Sequence, residues 1–175
     1  PYAEKGVFLF ADCGIVPNPT SRELANIAIS TARLAREVLE FTPRVAMLSY
    51  STKSSAKGEL VDKVREATEL AKNQEPDLII DGELQVDSAI VPQVAQIKDP
   101  QGKFGGQANI LIFPNLDAGN IAYKLVNRLA KAKAIGPLLQ GLNWPCSDLS
   151  RGCSVEEIID CVSVTAVSAQ FRKVK

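Results

Sequence analysis

Apolar residues along this chain fall into two alternating rhythms. Unbroken apolar runs occupy residues 6–11, 45–48 and 78–80, and a fourth, opened by Asn109, covers 109–113. After each run the apolar positions spread to every third or fourth residue. A short unbroken run predicts a strand covered on both faces, and the wider spacing predicts a helix with one apolar stripe. The first helix is capped by Thr20 or Ser21, carries Leu24, Ile27, Ala28, Ala32, Ala35 and Leu39 on its stripe, and is closed by Pro43. The second spans 59–73 with Leu60, Val64, Ala67 and Ala71 inward. Asp81-Gly82 ends the third strand, and 86–98 read as helical despite Pro92. Gly119 or Asn120 opens a helix to about Lys131, residues 135–139 form a fifth short run, and Ser154-x-x-Glu157 is the capping-box opening of a last helix carrying Ile158, Ile159, Val162 and Ala166. Repeated β-α alternation of this kind predicts an α/β fold: a three-layer α/β/α arrangement around a mainly parallel sheet.

Composition narrows the classes. The 175 residues suffice for one domain with a real core. Twenty basic and twenty acidic residues cancel, which leaves no electrostatic footprint for nucleic acid or an anionic membrane surface. No apolar run reaches membrane-spanning length, so a soluble, cytoplasmic protein is expected. Only residues 1–5 precede the first strand, which suggests either a compact domain or a piece of something longer. Four cysteines at 13, 146, 153 and 161, with no histidine anywhere, match no zinc spacing, so reduced thiols and no metal are expected. Without histidine a Ser-His-Asp triad is excluded, and any general base is a carboxylate, a thiolate, a lysine or the substrate itself.

In a parallel α/β sheet ligands gather at the carboxyl ends of the strands, and the polar loops here fall at those ends. The most suggestive is Asp148-Leu149-Ser150-Arg151-Gly152, just before the capped last helix. A hydroxyl, a guanidinium and an unobstructed glycine amide beside a helix N-terminus suit an anion such as phosphate. A solvated arginine next to an ordinary cap is the bland alternative and stays open. Ser51 and Thr52, in the loop of residues 49–55 between a strand and a helix, are candidate phosphate ligands, although the glycines of a Walker A loop are missing. Lys98, Lys103 and Lys124 flank further loops and are positioned for a polyanion, with solvated lysines the alternative.

Several blocks taken in order carry a resemblance. They are Val45-Ala46-Met47-Leu48-Ser49-Tyr50-Ser51-Thr52, Lys63-Val64-Arg65-Glu66-Ala67-Thr68, residues 76–85, Ile112-Phe113-Pro114-Asn115-Leu116-Asp117-Ala118-Gly119-Asn120, Tyr123-Lys124, residues 135–141 and Asp148-Leu149-Ser150-Arg151-Gly152. Together they resemble the C-terminal half of the phosphate acetyl/butyryl transferase family. The resemblance implies reversible acetyl transfer, acetyl-CoA + phosphate = CoA + acetyl phosphate, by direct thiol attack in a ternary complex. It implies a fold like the isocitrate/isopropylmalate dehydrogenases, with coenzyme A as a substrate and no permanently bound cofactor. The missing N-terminal half of the same polypeptide is the implied partner, and the apolar side of the last helix, deprived of that half, predicts a homo-oligomer, most simply a dimer. Residues 6–152 would then form one α/β subdomain with cleft loops, and the helix of residues 153–170 would return to the missing subdomain.

In site terms the resemblance makes Ser150, Arg151 and Glu157 catalytic. Ser51, Thr52, Lys98, Asn120, Tyr123, Lys124 and Gly152 become substrate-binding, with Lys124 approaching the phosphates of coenzyme A. Two departures stand out. Pro-Asp-Leu-Asn-Thr-Gly-Asn of the family reads Pro114-Asn115-Leu116-Asp117-Ala118-Gly119-Asn120 here, and the family's aspartate seven residues after the serine is Glu157. Glu157 is at once a candidate base for the thiol proton and the natural capping partner of Ser154, and both roles stay open. A non-catalytic anion-binding, nucleotide-binding or oligomerising module on the same scaffold is the alternative function.

Overall fold

In the computed structural model, which describes residues 6–171, the four strong apolar runs pair as one parallel sheet. Strand β1 (Leu9–Ala11) leads through helix α1 (Ser21–Glu37) to β2 (Arg44–Leu48), then through α2 (Glu59–Gln74) to β3 (Ile79–Leu84). Two short helices, α3 (Val86–Ile90) and α4 (Pro92–Lys98), return the chain to β4 (Ile110–Ile112), which is followed by α5 (Leu116–Leu129). The strand order is β1-β4-β2-β3, with Val45 aligned to both Ile80 and Ile110. Residues 1–5, the lead-in to the first strand, lie outside the described residues.

Helices cover both faces, as the unbroken strands require. On one face α1 and α2 bring Leu24, Ala28, Ala32, Val64 and Ala67 against Val45, Ile80, Ile110 and Ile112. On the other, Ala89, Ala118 and Ala122 meet Ala46, Leu84 and Leu111, and Phe10 packs on Phe113 with ring centroids 5.2 Å apart. Asn109 is buried ahead of β4; its Oδ1 accepts from Arg44 N at 2.8 Å and its Nδ2 donates to Thr42 O at 2.9 Å, so it meets the backbone entering β2 where a strand partner would.

Several boundaries differ from the sequence expectation. Leu60 is 46 % exposed, and Val61 takes the inward place in α2. Strand β3 does not stop at Asp81-Gly82 but continues to Leu84, which aligns with Leu48. The helix expected over 86–98 breaks at Val91, whose extended backbone (φ −118°, ψ 108°) is what a residue before proline prefers, and Pro92 starts α4. Helix α5 begins at Leu116, ahead of Gly119, because Asn115 caps it by accepting from Ala118 N at 3.0 Å. The fifth apolar run never joins the sheet: β5 (Leu138–Leu139) pairs antiparallel with β6 (Cys146–Ser147), and α6 (Val155–Gln170) follows.

Candidate functional site

The loop after β1 is drawn tight by its own aspartate. Asp12 accepts from the amides of Gly14 at 2.8 Å, Ile15 at 3.2 Å and Val16 at 2.7 Å. Helix α5 closes over this loop: Leu116 N donates to Pro17 O at 3.0 Å and Asn120 Nδ2 to Cys13 O at 3.0 Å. Gly119 lies so close that a Cβ there would collide with the Asp12 carbonyl oxygen. One turn on, Lys124 Nζ sits 2.6 Å from Tyr123 Oη and 4.3 Å from the ring centroid. Burial and then the Asp12 charge push the Cys13 thiol up to about 12, with Lys124 pulling the other way. Asn120, Tyr123 and Lys124 thus gather beside the loops after β1 and β4.

Ser51 and Thr52 gather elsewhere, and they do not face solvent as a phosphate cradle needs. Both are buried. Ser51 Oγ donates to Glu83 Oε1 at 2.8 Å and accepts from Ala56 N at 3.1 Å, while Thr52 Oγ1 accepts from Gln85 N at 2.9 Å. Their hydroxyls are already spent on shaping the loop, whose next residues Lys53 (φ 46°) and Ser54 (φ 73°) are both left-handed. Lys98 joins this group by donating to Gln85 Oε1 at 2.9 Å and to Asp87 Oδ2 at 2.7 Å, a pairing that holds the Asp87 carboxyl below its ordinary range.

Beneath that loop lies a group sequence reasoning missed. Glu83 accepts from Arg65 Nε at 2.9 Å, Arg65 Nη2 at 3.1 Å, Ser54 N at 2.8 Å and Ser51 Oγ. Burial alone would raise its pKa, but the guanidinium and the other donors outweigh burial and bring it down to about 2. No sequence signal joins Arg65 to a carboxylate 18 residues on; the pair exists because α2 packs beside β3. Lys63 stands two residues before Arg65, on a different side of the same helix.

The Ser150-Arg151-Gly152 stretch is exposed. A tight turn, Cys153 N to Ser150 O at 3.0 Å, presents it ahead of α6, and Gly152 N points to Ser150 Oγ at 3.4 Å. Among the described residues the Arg151 guanidinium has no hydrogen-bond or ion-pair partner. Asp148 N donates to Pro137 O at 3.1 Å, and Pro137 Cβ lies 3.8 Å from where a Cβ on Gly14 would stand, so this stretch is tied to the β1 side of the sheet. The cap is complete: Glu157 N donates to Ser154 Oγ at 3.2 Å and Ser154 N to Glu157 Oε2 at 2.7 Å. Glu157 therefore completes the capping box in which Ser154 is the cap of α6. Ile158, Ile159, Val162 and Ala166 of that helix stay exposed, Ile159 and Val162 by about three-fifths, while Cys161 is buried.

All four cysteines are free. Among the described residues no group of three or more His, Cys, Asp and Glu is placed to hold a metal, and no helix is long and apolar enough to cross a membrane.

The family model described as phosphate acetyl/butaryl transferase matches residues 2–166. A phosphate acetyltransferase of Thermoanaerobacterium thermosaccharolyticum is 60% identical over 169 residues, covering 97% of this chain and 52% of the relative. One of Clostridium acetobutylicum is 59% identical, with coverages of 97% and 51%. The crystal structure of a phosphotransacetylase from Streptococcus pyogenes superposes with a TM-score of 0.90 at 49% identity, covering 98% of this chain and 53% of that one. The chain spans about half the length of the curated relatives it matches.

Proposed function

The chain belongs to the phosphate acetyl/butyryl transferase family, and from that premise we propose that it is the C-terminal portion of an acyltransferase moving acetyl reversibly between coenzyme A and inorganic phosphate. The observation that carries this reading is Arg151: an exposed guanidinium with no partner among the described residues, beside a hydroxyl, ahead of a capped helix, on the β1 side of a parallel sheet. A planar fork of that kind matches the oxygens of a phosphate. The alternative of a non-catalytic module is not favoured, since relatives at 59–60% identity carry the name of an enzyme.

In the proposed reaction the coenzyme A thiol attacks the carbonyl carbon of acetyl phosphate. A carbon–sulfur bond forms, the bond from carbon to the phosphate oxygen breaks, and the thiol proton passes to a carboxylate or to the departing phosphate. Negative charge grows on the carbonyl oxygen and on the leaving group, and fixed donors that meet it there lower the barrier. Arg151 and Ser150 would hold the phosphate, the amide of Gly152 would assist, and Lys124, Tyr123, Asn120 and Lys98 would line the approach of coenzyme A. Glu157 would act as base through Oε1, since its Oε2 accepts from the Ser154 amide. Ser51 and Thr52 we assign to holding their loop rather than the ligand. No permanently bound cofactor is needed for this chemistry.

We also propose that residues 6–152 act as one subdomain and that the helix within 153–170 returns to a subdomain outside this chain, or self-associates when that is lacking, through Ile158, Ile159, Val162 and Ala166. The cytoplasm is the compartment that suits free thiols and these substrates. The test is arsenate-dependent loss of acetyl-CoA, measured for this chain alone and mixed with the N-terminal half of a relative. Transfer should appear only in the mixture, and Arg151→Gln should abolish it without moving the melting temperature. A mixture that never turns over, or whose rate ignores Arg151→Gln, would sink the proposal.

A further inference from the structure

Basic side chains near the carboxyl ends of the strands are in two conditions. Lys53 meets Asp81, Arg65 meets Glu83 and Lys98 meets Asp87, so each has its charge answered inside the fold. Lys63 does not. It is half-buried on α2, and its Nζ donates to two neutral oxygens, Asn18 Oδ1 at 2.9 Å and Pro114 O at 2.8 Å. No carboxylate among the described residues pairs with it. An ammonium carries three donors, so one donor and the whole unit charge are left over. Partial burial of a charge without a counter-charge is unfavourable, and burial accordingly lowers the Lys63 pKa.

Its position gives that spare charge a use. Asn18 and Pro114 belong to the loops after β1 and β4, which Leu116 N to Pro17 O and Asn120 Nδ2 to Cys13 O already bind together. Lys63 reaches this junction from α2, on the face opposite α5 with its Asn120 and Lys124. We propose that Lys63 is an anion-binding residue which takes a phosphoryl oxygen at the junction of the loops after β1 and β4. The proposal rests on the phosphate-transfer reading for the identity of the anion, which is either inorganic or acetyl phosphate, or a phosphate of coenzyme A.

A clamp with no ligand is the competing role, and three substitutions separate the two. Asn18→Ala loosens the clamp and keeps the charge, Lys63→Arg keeps the charge on a different head, and Lys63→Met removes both. Inorganic phosphate, coenzyme A and phosphate-free pantetheine are titrated separately into the chain. The readout is the NMR signals of the lysine Cε–Hε groups, with that of Lys63 assigned by its loss in the arginine variant. The Lys63 signal should move with phosphate or coenzyme A and not with pantetheine, and the probe that moves it at the lower concentration names the source. Losing one charge-assisted contact should weaken that probe roughly tenfold or more in Lys63→Met, while Asn18→Ala and Lys63→Arg stay within about threefold. A Lys63 signal unmoved by either phosphate-bearing probe overturns the proposal. So does a folded Lys63→Met chain that binds like the original, or an Asn18→Ala chain that loses as much. If Lys63→Met fails to fold, the wild-type signal and the arginine variant decide. Acyl transfer by the reconstituted mixture is scored separately: transfer with an unresponsive Lys63 overturns this inference alone, and a responsive Lys63 without transfer overturns the acyltransferase reading alone.

Discussion

Replacing Arg65 with leucine asks how much stability depends on the buried Glu83 carboxylate beneath the loop after β2. Glu83 is 2 % exposed and takes four donors, two of them from the Arg65 guanidinium. Its pKa falls from 4.5 to about 2 on folding, because Arg65, the Ser54 amide and the Ser51 hydroxyl outweigh the opposing effect of burial. The folded state thus binds this proton more weakly than the unfolded chain. The stabilisation is complete above about pH 4.5 and is lost as pH falls through about 2. At about 1.4 kcal/mol per pH unit, that difference is worth about 3 kcal/mol. Removing one partner of a buried pair typically costs about 3–5 kcal/mol. The Arg65 side chain is 33% exposed, so water screens part of the attraction and the lower end applies. For a domain of this size about 3 kcal/mol lowers the melting temperature by roughly 6–12 °C. In Arg65→Leu the carboxylate keeps only neutral donors, so burial raises its pKa and acid relieves the strain by protonating it. Urea unfolding of both chains should therefore differ by about 3 kcal/mol near pH 7 and by clearly less near pH 4.5. A gap under about 1 kcal/mol at neutral pH, or an equal gap at both, would refute the reasoning.

Three further outcomes are expected. Gly119→Ala drives a methyl into the Asp12 carbonyl oxygen and should cost about 1–3 kcal/mol in thermal unfolding, so a neutral effect would show that α5 can move away. Exposed Cys146 should be alkylated promptly near neutral pH, whereas Cys13, pushed up to about 12 by burial and by Asp12, should react only as the chain unfolds. Peptide mass mapping checks this, and equal labelling of the two would contradict it. In the reconstituted enzyme Lys124→Ala should raise the KM for coenzyme A more than that for acetyl phosphate, and equal increases would remove Lys124 from the coenzyme site.

What the sequence determined by itself was set by interactions three or four residues long, or by unbroken apolar runs. The four strands of the sheet, the capping box of Ser154 with Glu157 and the Ser150-Arg151 stretch ahead of it belong there, whereas the choice of Thr20 over Ser21 as the first cap came from the structure. The ordered blocks that mark the family were legible for a different reason, since they are strings of residues and need no geometry. Only the tertiary structure decided which polar groups end up inside. Asp81-Gly82 reads as a turn, yet β2 lies alongside and supplies hydrogen bonds as far as Leu84, so the strand continues. Ser51 and Thr52 read as ligands in an open loop, yet Glu83, 32 residues from Ser51, and Gln85, 33 from Thr52, occupy their hydroxyls. Leu60 and Val61 both fit a helical stripe, and only the folded chain shows that Val61 is buried while Leu60 stays exposed. The same packing left Lys63 half-buried against neutral oxygens while Arg65 found a carboxylate. Propensity and capping act along the chain, whereas the burial of a charge depends on what another element brings within about 3 Å of it.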